Sequence, residues 1–254
     1  MDIEEHLAAL TAEGELLADA AGRVDHDAPV PGCPAWQVAD VVRHVGLVHR
    51  WATAAVRDGS QDAARYPDDD GSGLSGPDLV DWFRAGHQAL VGTLASADPD
   101  VSTFTFLPAP SALAFWARRQ THETGIHRAD VESAGGPITP FGRAEAEDGI
   151  DELVGGFGAR RRKDAPAAPR TIGVLPTDSL RGWLVRVGAE PVRDRAAAAD
   201  ADCVVRGTAS DLHLLLWNRP AVEVETTGDP TVLADWRGRI RVRWRGPGPR
   251  RARP

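Results

Sequence analysis

Cysteine is scarce in this 254-residue chain: Cys33 and Cys203 are the only two, and they lie far apart. A disulfide framework and a four-cysteine zinc site are both excluded. Lysine is scarcer still, since Lys163 alone interrupts an all-arginine set of 29 basic residues. With the many Ala-Arg-Asp-Gly stretches, that bias reflects a GC-rich genome more than a mechanism. No apolar run approaches the ~20 residues needed to cross a bilayer. The opening MDIEEHLAALTAEGELL is acidic and amphipathic, without the basic and apolar regions of a secretory signal. Acidic residues outnumber basic ones, 37 to 29, for a net charge of −8. That removes a global nucleic-acid footprint. The expectation is a cytoplasmic protein without a membrane or nucleic-acid partner, monomer or homodimer being left open.

The exception in charge is the last stretch, RGRIRVRWRGPGPRRARP, with eight arginines between Arg237 and Arg253. Its end, residues 246–254, has no apolar face to bury and reads as a disordered basic tail.

Residues 1–163 read as helices separated by turn signals. Ile3, Leu7, Leu10, Leu17 and Ala21 fall near helical spacing, closed by Gly22. After the breaker-rich loop DHDAPVPGCPA a second helix opens near Trp36. It carries Val38, Val41, Val42, Val45, Val48 and Ala52 on or beside one stripe, and ends at Asp58-Gly59. Pro77, with Ser75 and Asp78 as a capping pair, starts a third helix. Ser111 caps a fourth, LAFWARRQTHETGIHRADVESA, which Gly135-Gly136 stops. A fifth, glycine-weakened helix covers RAEAEDGIDELVGGFGARRRK. This predicts a helical bundle able to host a site on its inner faces. The Pro-Ala segment DAPAAP, residues 164–169, reads as a linker. After it, RTIGVLP, RGWLVRVG, DCVVRG and VEVET read as strands, and TASDLHLLLWN and DPTVLADW as helices capped by Thr208 and Asp229. The fold class is thus α+β in two domains, 1–163 and 170–245.

Eight histidines are present: His6, His26, His44, His49, His87, His122, His127 and His213. Glu123 and His127 are four apart, so on a helix they share a face about 5–6 Å between Cβ atoms. A carboxylate oxygen and an imidazole nitrogen at that spacing can close on one divalent ion at about 2 Å each. His122 points roughly 100° away. Asp130, one turn beyond His127, is placed to receive its other ring proton. His44 lies on or near the apolar stripe of the second helix, where it is either a core histidine or an inward-facing ligand. In the second case His44, Glu123 and His127 supply three donors and leave a position open, as catalytic zinc sites do. His49 and His87 read as solvated or boundary positions, His122 as a polar bundle position, and His213 as core or boundary. Cys33 reads as a structural thiol with no base flanking it.

The runs CPAWQVADVVRHVGLVHRW and RRQTHETGIHRADVE resemble the mycothiol-dependent maleylpyruvate isomerase family, and ADCVVRGTASDLHLLLWNR with VEVETTGDPTVLADW resembles its C-terminal domain. The resemblance implies a DinB-like four-helix bundle carrying one divalent metal, followed by a small sterol-carrier-like α/β domain. It implies His44, Glu123 and His127 as ligands, Asp130 as the acidic residue one turn later, and Arg219 as an arginine supplied by the second domain. The cofactors implied are a divalent ion, zinc from the N, N, O donor set, and mycothiol. The substrate implied is a small electrophilic acid, with isomerisation and S-transfer both open. Two rival readings stand beside this one: a module whose sterol-carrier-like domain holds an apolar ligand, and a metal sensor whose basic tail touches nucleic acid.

Overall fold

The structure, a computed structural model, describes residues 1–160, 170–186, 188–219 and 223–241. The chain forms two compact units that divide between Thr139 and Pro140. The Pro-Ala linker 164–169 and the basic tail 246–254 lie outside the described residues.

The first unit holds four helices: α1 (Ile3–Ala21), α2 (Val38–Asp58), α3 (Gly76–Ser96) and α4 (Ala112–Ser133). Their ends follow local chemistry. Asp2 and Glu5 make a reciprocal capping box on α1. Gly59 closes α2 in the left-handed region at φ 59°, which glycine enters without a Cβ clash. Ser111 accepts from the Ala114 N–H at 3.1 Å. At α3 the predicted start is right, with Ser75 at the cap and Pro77 in the first turn, but the Ser75 side chain makes no capping bond. Its backbone is extended there, and Pro77 and Asp78 in the first turn suffice.

α1 lies mainly along α4 and α2 along α3. Leu17, Val41, Val42, Val45, Leu79 and Phe83 fill the space among α1, α2 and α3 without solvent exposure. α4 is different. Its buried residues include Arg119, Gln120, Thr121, His122, Thr124, His127, Arg128, Asp130 and Glu132. A polar helix survives burial only if its groups are paired. Arg128 donates to Glu13 at 2.7 Å and to Glu132 at 2.7 Å, and Thr121 to the His6 carbonyl at 2.9 Å.

In the second unit α5 (Arg143–Asp151) runs into a π-helical turn, Glu152–Phe157. β1 (Ile172–Pro176), β2 (Trp183–Val185), α6 (Arg195–Ala199), β3 (Cys203–Gly207), α7 (Ala209–Leu216), β4 (Glu225–Gly228) and α8 (Pro230–Arg239) follow. The sheet order is β2-β1-β3-β4, with β1 and β3 parallel in the centre and antiparallel strands at both edges. Thr208 and Asp229 cap α7 and α8 as expected. Two readings shift. α5, grouped with the bundle by sequence, packs on α7 instead; at Gly149 the helices approach so closely that a Cβ would stand 2.3 Å from the His213 ring. The fourth strand begins at Glu225, past Val224, and is exposed along its length, while the first residue of VEVET lies outside the described residues.

Among the described residues no helix is long and apolar enough to cross a membrane.

Candidate metal centre

The loop before α2 and two helices of the first unit build the site. His44 sits on α2 with its side chain turned into the bundle, 3% exposed. Glu123 and His127 stack one turn apart on α4. His44 Nε2 lies 3.1 Å from Glu123 Oε1, and His127 Nε2 lies 3.5 Å from the same oxygen. One donor atom from each of the three falls within 4.8 Å of the other two. Two imidazole nitrogens and one carboxylate oxygen at these separations fit a divalent ion held at about 2 Å from each.

Both ends of the α4 pair are fixed from behind. His127 Nδ1 is 2.9 Å from Asp130 Oδ2, which orients the ring so that Nε2 faces Glu123. Arg119, one turn before Glu123, donates to its other oxygen, Oε2, at 2.9 Å. The Trp36 indole covers both imidazoles, stacked on His127 at 6.1 Å and edge-on to His44 at 4.9 Å.

The charges follow from these contacts. Burial alone would raise the Glu123 carboxyl, but hydrogen bonds from His127 and His44 and the nearby Arg119 charge hold it well below its ordinary range. Burial opposes a charge on His127, yet its bonds to Asp130 and Glu123 prevail and raise its pKa to about 9. For His44 burial wins, and its pKa is lowered. The metal-free centre therefore holds a carboxylate, a proton on His127 and a neutral His44.

The other histidines part from this group. His122 turns away to meet His6, ring centroids 5.7 Å apart. His49 and His87, expected at solvated or boundary positions, are both buried. His49 Nε2 donates to Thr124 Oγ1 at 2.9 Å, and Gly14 on α1 leaves the space that the His87 ring fills. His213 is buried in the second unit, as one of its two expected positions. Arg219 follows α7 in that unit and donates to the Trp217 carbonyl at 2.9 Å.

Sequence reading did not place Arg119, Trp36 or Cys33 at the centre. Arg119 carried the same signal as His127, four residues from Glu123 on the other side. Trp36 and Cys33 gave none, because a loop has no periodicity to project. The Cys33 thiol, thought to lack a base nearby, donates to Asp130 Oδ2 at 3.7 Å, across 97 residues of sequence.

The mycothiol maleylpyruvate isomerase N-terminal domain family matches residues 7–132, and the C-terminal domain of the same family matches residues 145–235. No curated protein matches the chain. Among solved structures, the mycothiol-dependent maleylpyruvate isomerase aligns with TM-score 0.62 and 15% identity, covering 89% of this chain and 93% of that one. A histidine-to-alanine variant of that enzyme aligns with TM-score 0.63 and 14% identity over the same shares. At such identity the structural likeness speaks for the fold, a helical N-terminal unit followed by a small α/β unit. With both domain families matched in order along one chain, the protein belongs to the mycothiol-dependent maleylpyruvate isomerase family, a family of enzymes.

Proposed function

We propose that the protein is a divalent-metal enzyme that uses a small cellular thiol, mycothiol by its family, to isomerise a small electrophilic acid or to conjugate that thiol to it through sulfur. The observation that carries this reading is the convergence of His44 Nε2, Glu123 Oε1 and His127 Nε2 inside the helical unit. His44, Glu123 and His127 would hold the ion, and zinc suits two imidazoles and a carboxylate. When bound, such an ion lowers the pKa of an incoming thiol from its ordinary ~8.5, so that thiolate is available at neutral pH.

The protein's own groups do the rest. Asp130 holds the His127 ring by Nδ1, and Arg119 holds the Glu123 carboxylate by Oε2. Trp36 walls the imidazoles on one side. Such a thiol would supply a thiolate able to add reversibly to an electron-poor cis double bond, so that rotation about the resulting single bond and release of the thiol would give the trans isomer. Retention of the carbon–sulfur bond, with a proton taken up at the neighbouring carbon, would give S-transfer. Arg219, assigned by the family resemblance, is the candidate for pairing a substrate carboxylate, which a guanidinium can do with two parallel hydrogen bonds.

Calorimetric titration with mycothiol of the metal-loaded and the chelator-stripped protein tests the reading. Binding is expected only with metal present, and turnover of a maleyl-type acid should depend on both. Equal thiol binding by the stripped protein would overturn it in favour of a ligand-binding module.

A further inference from the structure

The two oxygens of Glu123 have different partners. Oε1 faces His44 Nε2 at 3.1 Å and His127 Nε2 at 3.5 Å. Oε2 accepts from Arg119 Nη2 at 2.9 Å, and the Arg119 side chain is only 4% exposed. With Glu123 18% exposed, the pair is partly shielded from water and salt and is screened less than a surface pair. It also sits on one helix at the i, i+4 spacing, so rotation of either side chain is limited by the same turn.

Resting on the metal-centre reading above, we propose that Arg119 is a positioning residue that reserves Glu123 as a single-oxygen ligand, keeping Oε2 off the ion and a position open for the thiol. A carboxylate can meet a cation through one oxygen or both. At the end of a rotatable side chain, an unrestrained Glu123 could turn its second oxygen inward and occupy the place a sulfur ligand needs. Arg119 removes that option by engaging Oε2 before any ion arrives. Its positive charge also offsets that of Glu123, so the centre remains attractive to an anionic thiolate. Lysine could supply the charge, but not the planar donor arrangement that fixes a carboxylate's orientation. An arginine that merely stabilised α4 would affect melting and leave the coordination of the ion alone.

Cobalt(II) separates these roles, because its visible bands are intense at low coordination number and weaken as ligands are added. Full-length protein, Arg119→Met and Arg119→Lys are titrated with cobalt(II) alone and then with N-acetylcysteine, with circular dichroism confirming the fold. The parent should bind cobalt(II) with intense bands and develop a sulfur-to-cobalt charge-transfer band on thiol addition. Arg119→Met should bind the ion about 10–100-fold more weakly, as expected when a group orienting a ligand is lost. Its visible bands should weaken and its charge-transfer band should be absent at the same thiol concentration. Arg119→Lys should recover part of each signal. A folded Arg119→Met variant with the parent's bands and thiol response, whatever its affinity, would overturn the proposal. Should that variant not fold, Arg119→Gln is read by the same criteria. A parent that takes up no cobalt(II) would instead bring down the metal-centre reading itself, and this inference with it.

Discussion

His127 is gripped at both ring nitrogens, by Asp130 at 2.9 Å and Glu123 at 3.5 Å, and its pKa of about 9 records that grip. The sign of the consequence follows from linkage. The folded pKa stands above the unfolded value of 6.5, so the proton stabilises the metal-free fold fully below pH 6.5 and ceases to do so as pH rises through about 9. Urea melts of the metal-free protein between pH 6.5 and 9 should show falling stability, and His127→Gln should flatten that slope. The buried His44, His49 and His87 have lowered pKa values, so they act in the opposite sense and outside this window, destabilising the fold below pH 6.5. Parallel slopes for the parent and His127→Gln would contradict the assignment. Asp130 makes a second residue-scale prediction. Asp130→Asn should weaken metal affinity about 10–100-fold and lower activity even when metal is restored, because the ring it orients is then free to turn. Activity regained fully with added metal would leave Asp130 an aid to binding alone.

At the scale of elements, α4 sets the character of the first unit, and close helix approaches keep its partners in place. A Cβ on Gly14 of α1 would stand 2.2 Å from the His87 ring, which is buried. Gly14→Ala is therefore expected to cost about 1–3 kcal/mol by overpacking, despite alanine's better helix propensity. Combining it with His87→Ala should return part of that loss; thermal melts of the two single variants and the double variant decide it. Much at this scale was legible beforehand. Ser111, Thr208 and Asp229 marked helix starts through a side-chain oxygen three or fewer residues before an N–H it satisfies. Glu123 and His127 were paired by spacing, while the apolar stripe left His44 open between core and ligand and the family resemblance joined it to the pair. The remainder depended on distant partners. Arg128 is buried because Glu13, 115 residues away, meets it. No periodicity within α4 announces that, nor that α5 would pack on α7 or that Asp130 would find Cys33.

For the whole molecule, the three donors all come from one compact unit, Met1–Thr139. The candidate centre keeps a half-buried carboxylate and a protonated imidazole together, so an ion bound there would replace a proton and tie α2 to α4. Ion binding to the folded state alone should raise stability by about 2.7 kcal/mol at a free concentration one hundred times Kd. The measurement that bears most directly on the central claim is metal content per chain. Protein loaded with zinc and freed of excess ion should carry about one zinc per chain, while folded His44→Ala and Glu123→Ala carry little. A folded parent without zinc, or a His44→Ala variant that retains as much as the parent, would contradict the account.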